Sequence, residues 1–128
     1  MKKIIAFLLT LVGITSACSQ QQYENRSVND FVALLDSTDI TLLDVRTVEE
    51  YNEGNIKNAI NIDQYDSEFL QKATAIIPKQ KLVAVYCKSG RRSSNAAKLL
   101  SEAGYEVVNL QGGITAWKAK GLPTTKDK

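Results

Sequence analysis

The stretch that decides the fold reads Leu-Val-Ala-Val-Tyr-Cys-Lys-Ser-Gly-Arg-Arg-Ser and occupies residues 82–93. Its first part, residues 82–86, is an apolar and β-branched run, which predicts a buried strand. Gly90 breaks the chain, and residues 93–103 predict a helix with Gly104 just beyond its end. A buried strand that runs directly into a helix is typical of an α/β fold.

The rest of the chain repeats this alternation of strands and helices. Apolar runs predict further strands at 40–45, 59–62 and 106–110. Capping-box spacings and helix-stop residues predict four more helices: one that Ser27 and Asp30 begin, one from Thr47 and Glu50 to Gly54, one over 67–77, and one after Gly112-Gly113 that contains Trp117. No internal repeat and no second domain is visible, so we expect one α/β domain with a largely parallel sheet.

The N-terminal segment has the pattern of an export signal rather than of a folded element. Lys2 and Lys3 form a basic start, residues 4–14 are an apolar run, and the small residues 15–17 suit a cleavage site. The run is too short to cross a bilayer comfortably and is apolar on every face. We therefore assign residues 1–17 to a signal peptide.

Cys18 follows this segment directly, and residues 14–18 resemble a bacterial lipobox, although Thr15 stands where leucine is usual. The resemblance implies acylation of Cys18 and a lipoprotein held at a membrane on the extracytoplasmic side of the bacterial cell envelope. The alternative is an ordinary secretory signal that leaves a cysteine nearby. We expect residues 18–26 to be a polar tether, residues 27–123 the folded domain and residues 124–128 a flexible tail.

The charge and the chemical inventory exclude several function classes. Without the two lysines of the signal, 14 of the 16 basic residues remain against 14 acidic ones, so nothing indicates nucleic-acid binding. There is no histidine, which excludes Cys-His and Ser-His-Asp catalysis. With Cys18 acylated, Cys87 is a lone thiol without a disulfide partner. We expect no metal site and no cofactor.

Cys87 lies where the predicted strand ends and a helix begins, the position at which open α/β sheets bind ligands. Gly90 lets the backbone curl so that N–H groups can face an anion, and the helix N-terminus adds partial positive charge. Lys88, Arg91 and Arg92 add three cations within five residues. Such surroundings favour a thiolate. The alternative, an inert core cysteine beside a solvated basic loop, does not account for this concentration of positive charge.

The loop from Cys87 to Ser93 resembles the active-site loop of the rhodanese-like sulfurtransferases. Further matches are spread along the chain: Leu43-Asp44-Val45-Arg46, Glu50-Tyr51, residues 109–117, and Gly121-Leu122-Pro123. The resemblance covers Ser27 to Pro123 and departs from the family pattern at residues 54–59. It implies a three-layer α/β/α fold with a central, mostly parallel sheet.

The resemblance also implies a reaction in two steps. The Cys87 thiolate takes the outer sulfur of a small anionic donor such as thiosulfate, and the resulting persulfide passes it to a thiol or to cyanide. Backbone N–H groups of residues 88–92, which include Ser89 and Gly90, are expected to stabilise the persulfide. Arg92 and Lys88 are expected to orient the donor, and Arg91 to face solvent. We expect a monomer whose thiol acceptor is a small molecule or a protein.

Asp44 and Arg46 are interpreted as supports, with Asp44 near the edge of the site. The spacing of Arg46 and Glu50 predicts an ion pair across one helical turn.

Two rival functions are considered. Cysteine phosphatases and arsenate reductases resemble this loop but usually have five residues between cysteine and arginine, whereas four intervene here. A carrier module would hold a persulfide or an anion without turnover.

Overall fold

Five parallel strands form the central sheet of the computed structural model, which describes residues 22–127. The strand order is β1-β5-β4-β2-β3. The strands are Glu24–Arg26 (β1), Ile40–Asp44 (β2), Ile60–Asn61 (β3), Leu82–Tyr86 (β4) and Val107–Leu110 (β5). The predicted signal peptide 1–17 and Cys18 lie outside the described residues.

Helices cover both faces of this sheet. They are Val28–Leu34 (α1), Val48–Glu53 (α2), Phe69–Ile76 (α3), Arg91–Glu102 (α4) and Gly113–Ala119 (α5). One core contains residues of α3 and α4, and the other contains residues of α1, α2 and α5. The predicted three-layer α/β/α fold with a parallel sheet is confirmed. Within residues 22–127, no helix is long and apolar enough to span a bilayer.

The central strand β4 explains why its sequence is apolar without interruption. Val83 and Val85 pack into the core on the side of α3 and α4, whereas Ala84 and Tyr86 pack into the core on the other side. A strand buried on both faces needs apolar side chains at every position. Cys87 continues the alternation into the first core.

The ends of the folded domain differ from the sequence-based expectation. Residues 24–26, placed in the tether, form edge strand β1, in which Glu24 pairs with Val108 of β5. Such pairing uses backbone groups, so it leaves no apolar pattern in the sequence. The tail is also held, because Asn55 N donates to Thr125 O at 2.7 Å and Thr125 N donates to Asn55 O at 2.8 Å. In addition, the Asn55 side-chain amide donates to Asp127 O.

Of the two predicted capping boxes, one is confirmed and one is wrong. Thr47 and Glu50 make both reciprocal hydrogen bonds at the start of α2. Ser27 is the N-cap of α1, but its side chain makes no cap hydrogen bond. Its carbonyl oxygen accepts the ordinary first helical hydrogen bond from Phe31 N, but α1 begins without the predicted side-chain cap.

Candidate active site

Cys87 follows β4 directly and lies at the carboxyl edge of the sheet, as the sequence predicts. Its side chain is buried, with 1% of the residue surface exposed. Gly90 N donates a hydrogen bond to Cys87 Sγ at 3.0 Å. Gly90 adopts φ +111°, which glycine reaches without strain. In the part of the chain that the structure describes, Gly90 N is the backbone amide that meets hydrogen-bond geometry to this sulfur.

Ser93 is a second donor beside the sulfur. Its hydroxyl lies 3.3 Å from Cys87 Sγ and 3.2 Å from Gly90 O, and the residue is fully buried. One hydroxyl carries one proton, so it donates to one of these two acceptors at a time. Ser93 belongs to the loop motif, but its sequence position alone predicts no role for it. The structure places it where a donor stabilises negative charge on sulfur.

Helix α5 holds the loop from behind through two backbone hydrogen bonds. Ile114 N donates to Cys87 O at 2.9 Å, and Thr115 N donates to Lys88 O at 3.0 Å. Since a trans peptide places its C=O and N–H on opposite sides, the amides that follow these carbonyls point away from α5. The Gly112-Gly113 pair therefore belongs to the support of the site.

The approach of Gly113 to the loop leaves no room for a side chain. A Cβ atom at Gly113 would lie 2.3 Å from Lys88 O and 2.6 Å from Cys87 O. Gly113 also adopts φ +63°, in the left-handed region. Both the backbone conformation and the contact distance require glycine at this position.

Arg92 is paired with Glu50, a carboxylate whose sequence spacing predicted a different partner, Arg46. Arg92 Nη1 donates to Glu50 Oε1 at 2.7 Å, and Nη2 donates to Oε2 at 3.0 Å. The predicted pair of Arg46 with Glu50 is wrong. Arg46 precedes α2, and the N-cap Thr47 has extended backbone, so the i, i+4 helical spacing does not apply.

Glu50 is ionised throughout the range in which proteins are assayed. Hydrogen bonds, chiefly from Arg92 and also from Thr47, lower the pKa of Glu50 to about 2, against the opposing effect of partial burial. Because the folded-state pKa is depressed, the stability contributed by the carboxylate is fully present above its ordinary pKa. It is lost only as the pH falls through about 2.

Asp44 and Arg46 form a buried pair next to the carboxyl edge of β2. Arg46 Nη2 lies 2.7 Å from Asp44 Oδ2 and also donates to Gly54 O at 2.7 Å. Asn61 then donates its side-chain amide to the main-chain oxygens of Asp44 and Arg46, at 3.0 and 2.9 Å. These contacts join β2, β3 and the end of α2, which is a supporting role.

The remaining loop residues are at the surface. Lys88, Ser89 and Arg91 are exposed, and among residues 22–127 neither Lys88 nor Arg91 forms an ion pair. Arg92 is half-buried and lies over the ring of the exposed Tyr65, 5.9 Å from its centroid. Of the three predicted cations, Lys88 and Arg91 are exposed and form no ion pair within the described residues, whereas Arg92 is neutralised by Glu50.

Together these features describe an α/β domain with a buried cysteine at the turn between its central strand and a helix. The rhodanese-like domain family matches residues 27–120, and the chain belongs to that family.

Two curated relatives and one solved structure show the extent of the similarity. A sulfurtransferase of Allochromatium vinosum is 40% identical over 91 residues, which cover 70% of this chain and 82% of the relative. The thiosulfate sulfurtransferase PspE of Escherichia coli is 40% identical over 72 residues, covering 56% of this chain and 68% of that protein. The crystal structure of a rhodanese-related protein from Thermoplasma volcanium superposes with a TM-score of 0.72 at 34% identity, over 82% of this chain and 100% of the other.

Proposed function

We propose that the protein is a sulfurtransferase that moves sulfane sulfur from thiosulfate, or from a persulfide donor, to a thiol acceptor through a persulfide on Cys87. The observation that carries the proposal is the pair of donors on Cys87 Sγ, the Gly90 amide and the Ser93 hydroxyl. Membership of the rhodanese-like family supports it. So do relatives named sulfurtransferase or thiosulfate sulfurtransferase at 31–40% identity.

In the first half-reaction, the Cys87 thiolate attacks the outer sulfur of thiosulfate. A sulfur–sulfur bond to Cys87 forms, the sulfur–sulfur bond of thiosulfate breaks, and sulfite leaves with the electron pair. The three negative charges before the step equal the three after it, one on the persulfide and two on sulfite. No proton is transferred, so the step needs no histidine.

In the second half-reaction, a thiolate acceptor attacks the outer sulfur of the Cys87 persulfide. The acceptor becomes a persulfide and Cys87 leaves as a thiolate, while cyanide as acceptor gives thiocyanate. The hydrogen bonds from Gly90 N and Ser93 Oγ stabilise this leaving group. The same two donors favour the thiolate form of Cys87 that begins the first step, since the charge returns to Cys87 Sγ at the end of the cycle.

Mass spectrometry of the full chain tests the proposal directly. After incubation with thiosulfate, the peptide that contains Cys87 is expected to gain one sulfur atom, and to lose it on addition of cyanide or a thiol. We expect turnover of thiosulfate to exceed that of an aryl phosphate by at least about a hundredfold, a difference of nearly 3 kcal/mol in activation free energy. The short loop, with four residues between Cys87 and Arg92, is the reason.

Two outcomes of this experiment would contradict the proposal. Cys87-dependent hydrolysis of the phosphate ester without any persulfide would indicate a phosphatase. A persulfide that no acceptor removes would indicate a carrier module.

We also propose that the protein is exported and anchored to a membrane by acylation of Cys18, facing the extracytoplasmic side. The support is the sequence of residues 1–18 alone. The wild-type protein is expected to begin at Cys18 and to partition into the detergent phase, because two or more acyl chains anchor stably. Cys18→Ser should move it to the aqueous phase or leave the precursor uncut, whereas Cys87→Ser should not change partitioning. A wild-type protein that is soluble and begins at another residue would overturn the assignment.

A further inference from the structure

Arg92, one of the two cations expected to orient the donor, is already paired with a carboxylate of the protein. Both terminal nitrogens of Arg92 donate to the two oxygens of Glu50, at 2.7 and 3.0 Å. The pair is only partly exposed, at 16% for the Arg92 side chain and 27% for Glu50. Arg92 and Glu50 lie on different helices, α4 and α2, so the contact is made by the fold and not by local sequence.

The carboxylate is fixed in this position by the helix that carries it. Glu50 Oε1 also accepts from Thr47 N at 3.0 Å and from Thr47 Oγ1 at 3.1 Å. These contacts form the capping box of α2. Movement of the Glu50 side chain away from Arg92 would therefore break the capping box. A ligand that bound Arg92 alone would therefore compete with a preorganised anion.

Arg92 directly precedes Ser93, whose hydroxyl lies 3.3 Å from Cys87 Sγ, so the charge of Arg92 acts near the sulfur. The pKa of Arg92 is raised, mainly by its hydrogen bonds to Glu50, and the charge of Cys87 contributes in the same direction. Negative charge on Glu50 therefore acts on the same region as negative charge on the sulfur or on a donor. Lys88 and Arg91 are exposed, so solvent and salt screen them more strongly than the half-buried pair.

We propose that Glu50 sets the donor charge that the site accepts: by neutralising Arg92 it disfavours dianionic sulfur donors relative to singly charged ones. The inference rests on the proposed sulfur transfer and names the residue that determines its donor selectivity. Thiosulfate carries two negative charges and a thiosulfonate carries one, with the same sulfane sulfur. Three cations alone would favour a dianionic donor. With Glu50 paired to Arg92, the wild-type site is adapted to donors of lower negative charge.

Alkylation of Cys87 tests the electrostatic effect of Glu50 at the sulfur without any sulfur transfer. Iodoacetate is an anion and iodoacetamide is neutral, and both attack the same sulfur. In Glu50→Gln, the ratio of the iodoacetate rate to the iodoacetamide rate is expected to rise about threefold to thirtyfold. A change of this size is what one unit charge produces over several ångströms, at effective dielectric constants between those of a protein surface and of bulk water. The rates are followed on the Cys87 peptide of the full chain by mass spectrometry at fixed pH and low salt.

Glutamine is the informative replacement because it retains the capping box while removing the charge. Thr47→Ala is the matched control: it removes the hydroxyl contact of Glu50 but keeps the carboxylate beside Arg92. The rate ratio should therefore stay within about twofold of wild type in Thr47→Ala, since no charge is removed. An unchanged ratio in Glu50→Gln, or an equal rise in Thr47→Ala, would overturn the inference.

The donor comparison carries the inference to the reaction itself. In Glu50→Gln, kcat/KM for thiosulfate is expected to rise relative to that for methanethiosulfonate by the same factor as the alkylation ratio. A general loss of structure lowers both values together and leaves their ratio unchanged, so the ratio reports charge alone. The protein could lack sulfur-transfer activity and still show the expected alkylation rates. That result would refute the proposed function but not the electrostatic effect of Glu50 on Cys87. Active protein whose donor ratio does not change would refute the role of Glu50.

Discussion

Cys87→Ser is expected to lower the rate of sulfur transfer by more than about a thousandfold while the domain stays folded. A serine hydroxyl is a poor nucleophile without a general base, and the chain has no histidine to supply one. The smaller oxygen fits a position where Cys87 is 1% exposed and leaves the contact from Gly90 N available. Thiocyanate formation from thiosulfate and cyanide measures the rate, and the thermal unfolding midpoint measures the fold.

The other cysteine supplies the matched control for this experiment. Cys18→Ser also replaces a cysteine by serine, but it removes the proposed acylation site and not the reacting thiol, and it should leave the rate of detergent-solubilised protein unchanged. Residual activity in Cys87→Ser within tenfold of wild type would show that sulfur does not pass through Cys87.

Gly113→Ala is expected to destabilise the domain by about 2–5 kcal/mol and to abolish most of the transfer activity. About 1–2 kcal/mol of this comes from the left-handed backbone, where Gly113 has φ +63°. The rest comes from the contact of the new Cβ with Lys88 O, which would be only 2.3 Å away. Relief of the clash must move either the loop that carries Cys87 or the start of α5 that holds this loop, so activity falls more than stability alone explains. Urea unfolding and the thiocyanate assay measure the two effects.

Gly121→Ala separates the strain of the backbone from the clash. Gly121 has φ +78°, and a Cβ atom there would meet nothing within 4 Å. This variant should lose about 1–2 kcal/mol and retain its activity. Equal losses of activity in the two variants would mean that the contact between α5 and the loop does not position Cys87.

The buried parts of the fold could be predicted because their burial is recorded in their own residues. Strand β4 is apolar at each position since both of its faces are covered. Thr47 and Glu50 predict the start of α2 because a capping box is a contact between residues close in sequence. Strand β1 gave no such signal, since an edge strand is held by backbone hydrogen bonds to β5. The bridge between Asn55 and Thr125 was missed for the same reason.

For the site, the sequence identified the reacting residue but not the contacts that tune it. Cys87, Gly90 and the cations lie within residues 87–92, so their proximity follows from the chain itself. The pairing of Arg92 with Glu50 joins residues 42 positions apart and depends on how α4 packs beside α2. The role of Gly113 depends likewise on the packing of α5 behind the loop. Gly112-Gly113 is visible in the sequence, but there it predicts only the start of a helix and not a close contact with the Cys87 loop.

The all-parallel sheet also determines how the molecule presents its thiol. Since β1 and β4 run in the same direction, the chain enters the domain at the amino edge of the sheet, and Cys87 lies at the carboxyl edge. Strand β4 alone, with five residues, separates these edges by about 16 Å. Residue 22, where the described part of the chain begins, therefore lies on the side of the sheet opposite the sulfur. The sulfur itself is buried at the carboxyl edge, so an acceptor reaches it on the side of the sheet that faces away from residue 22.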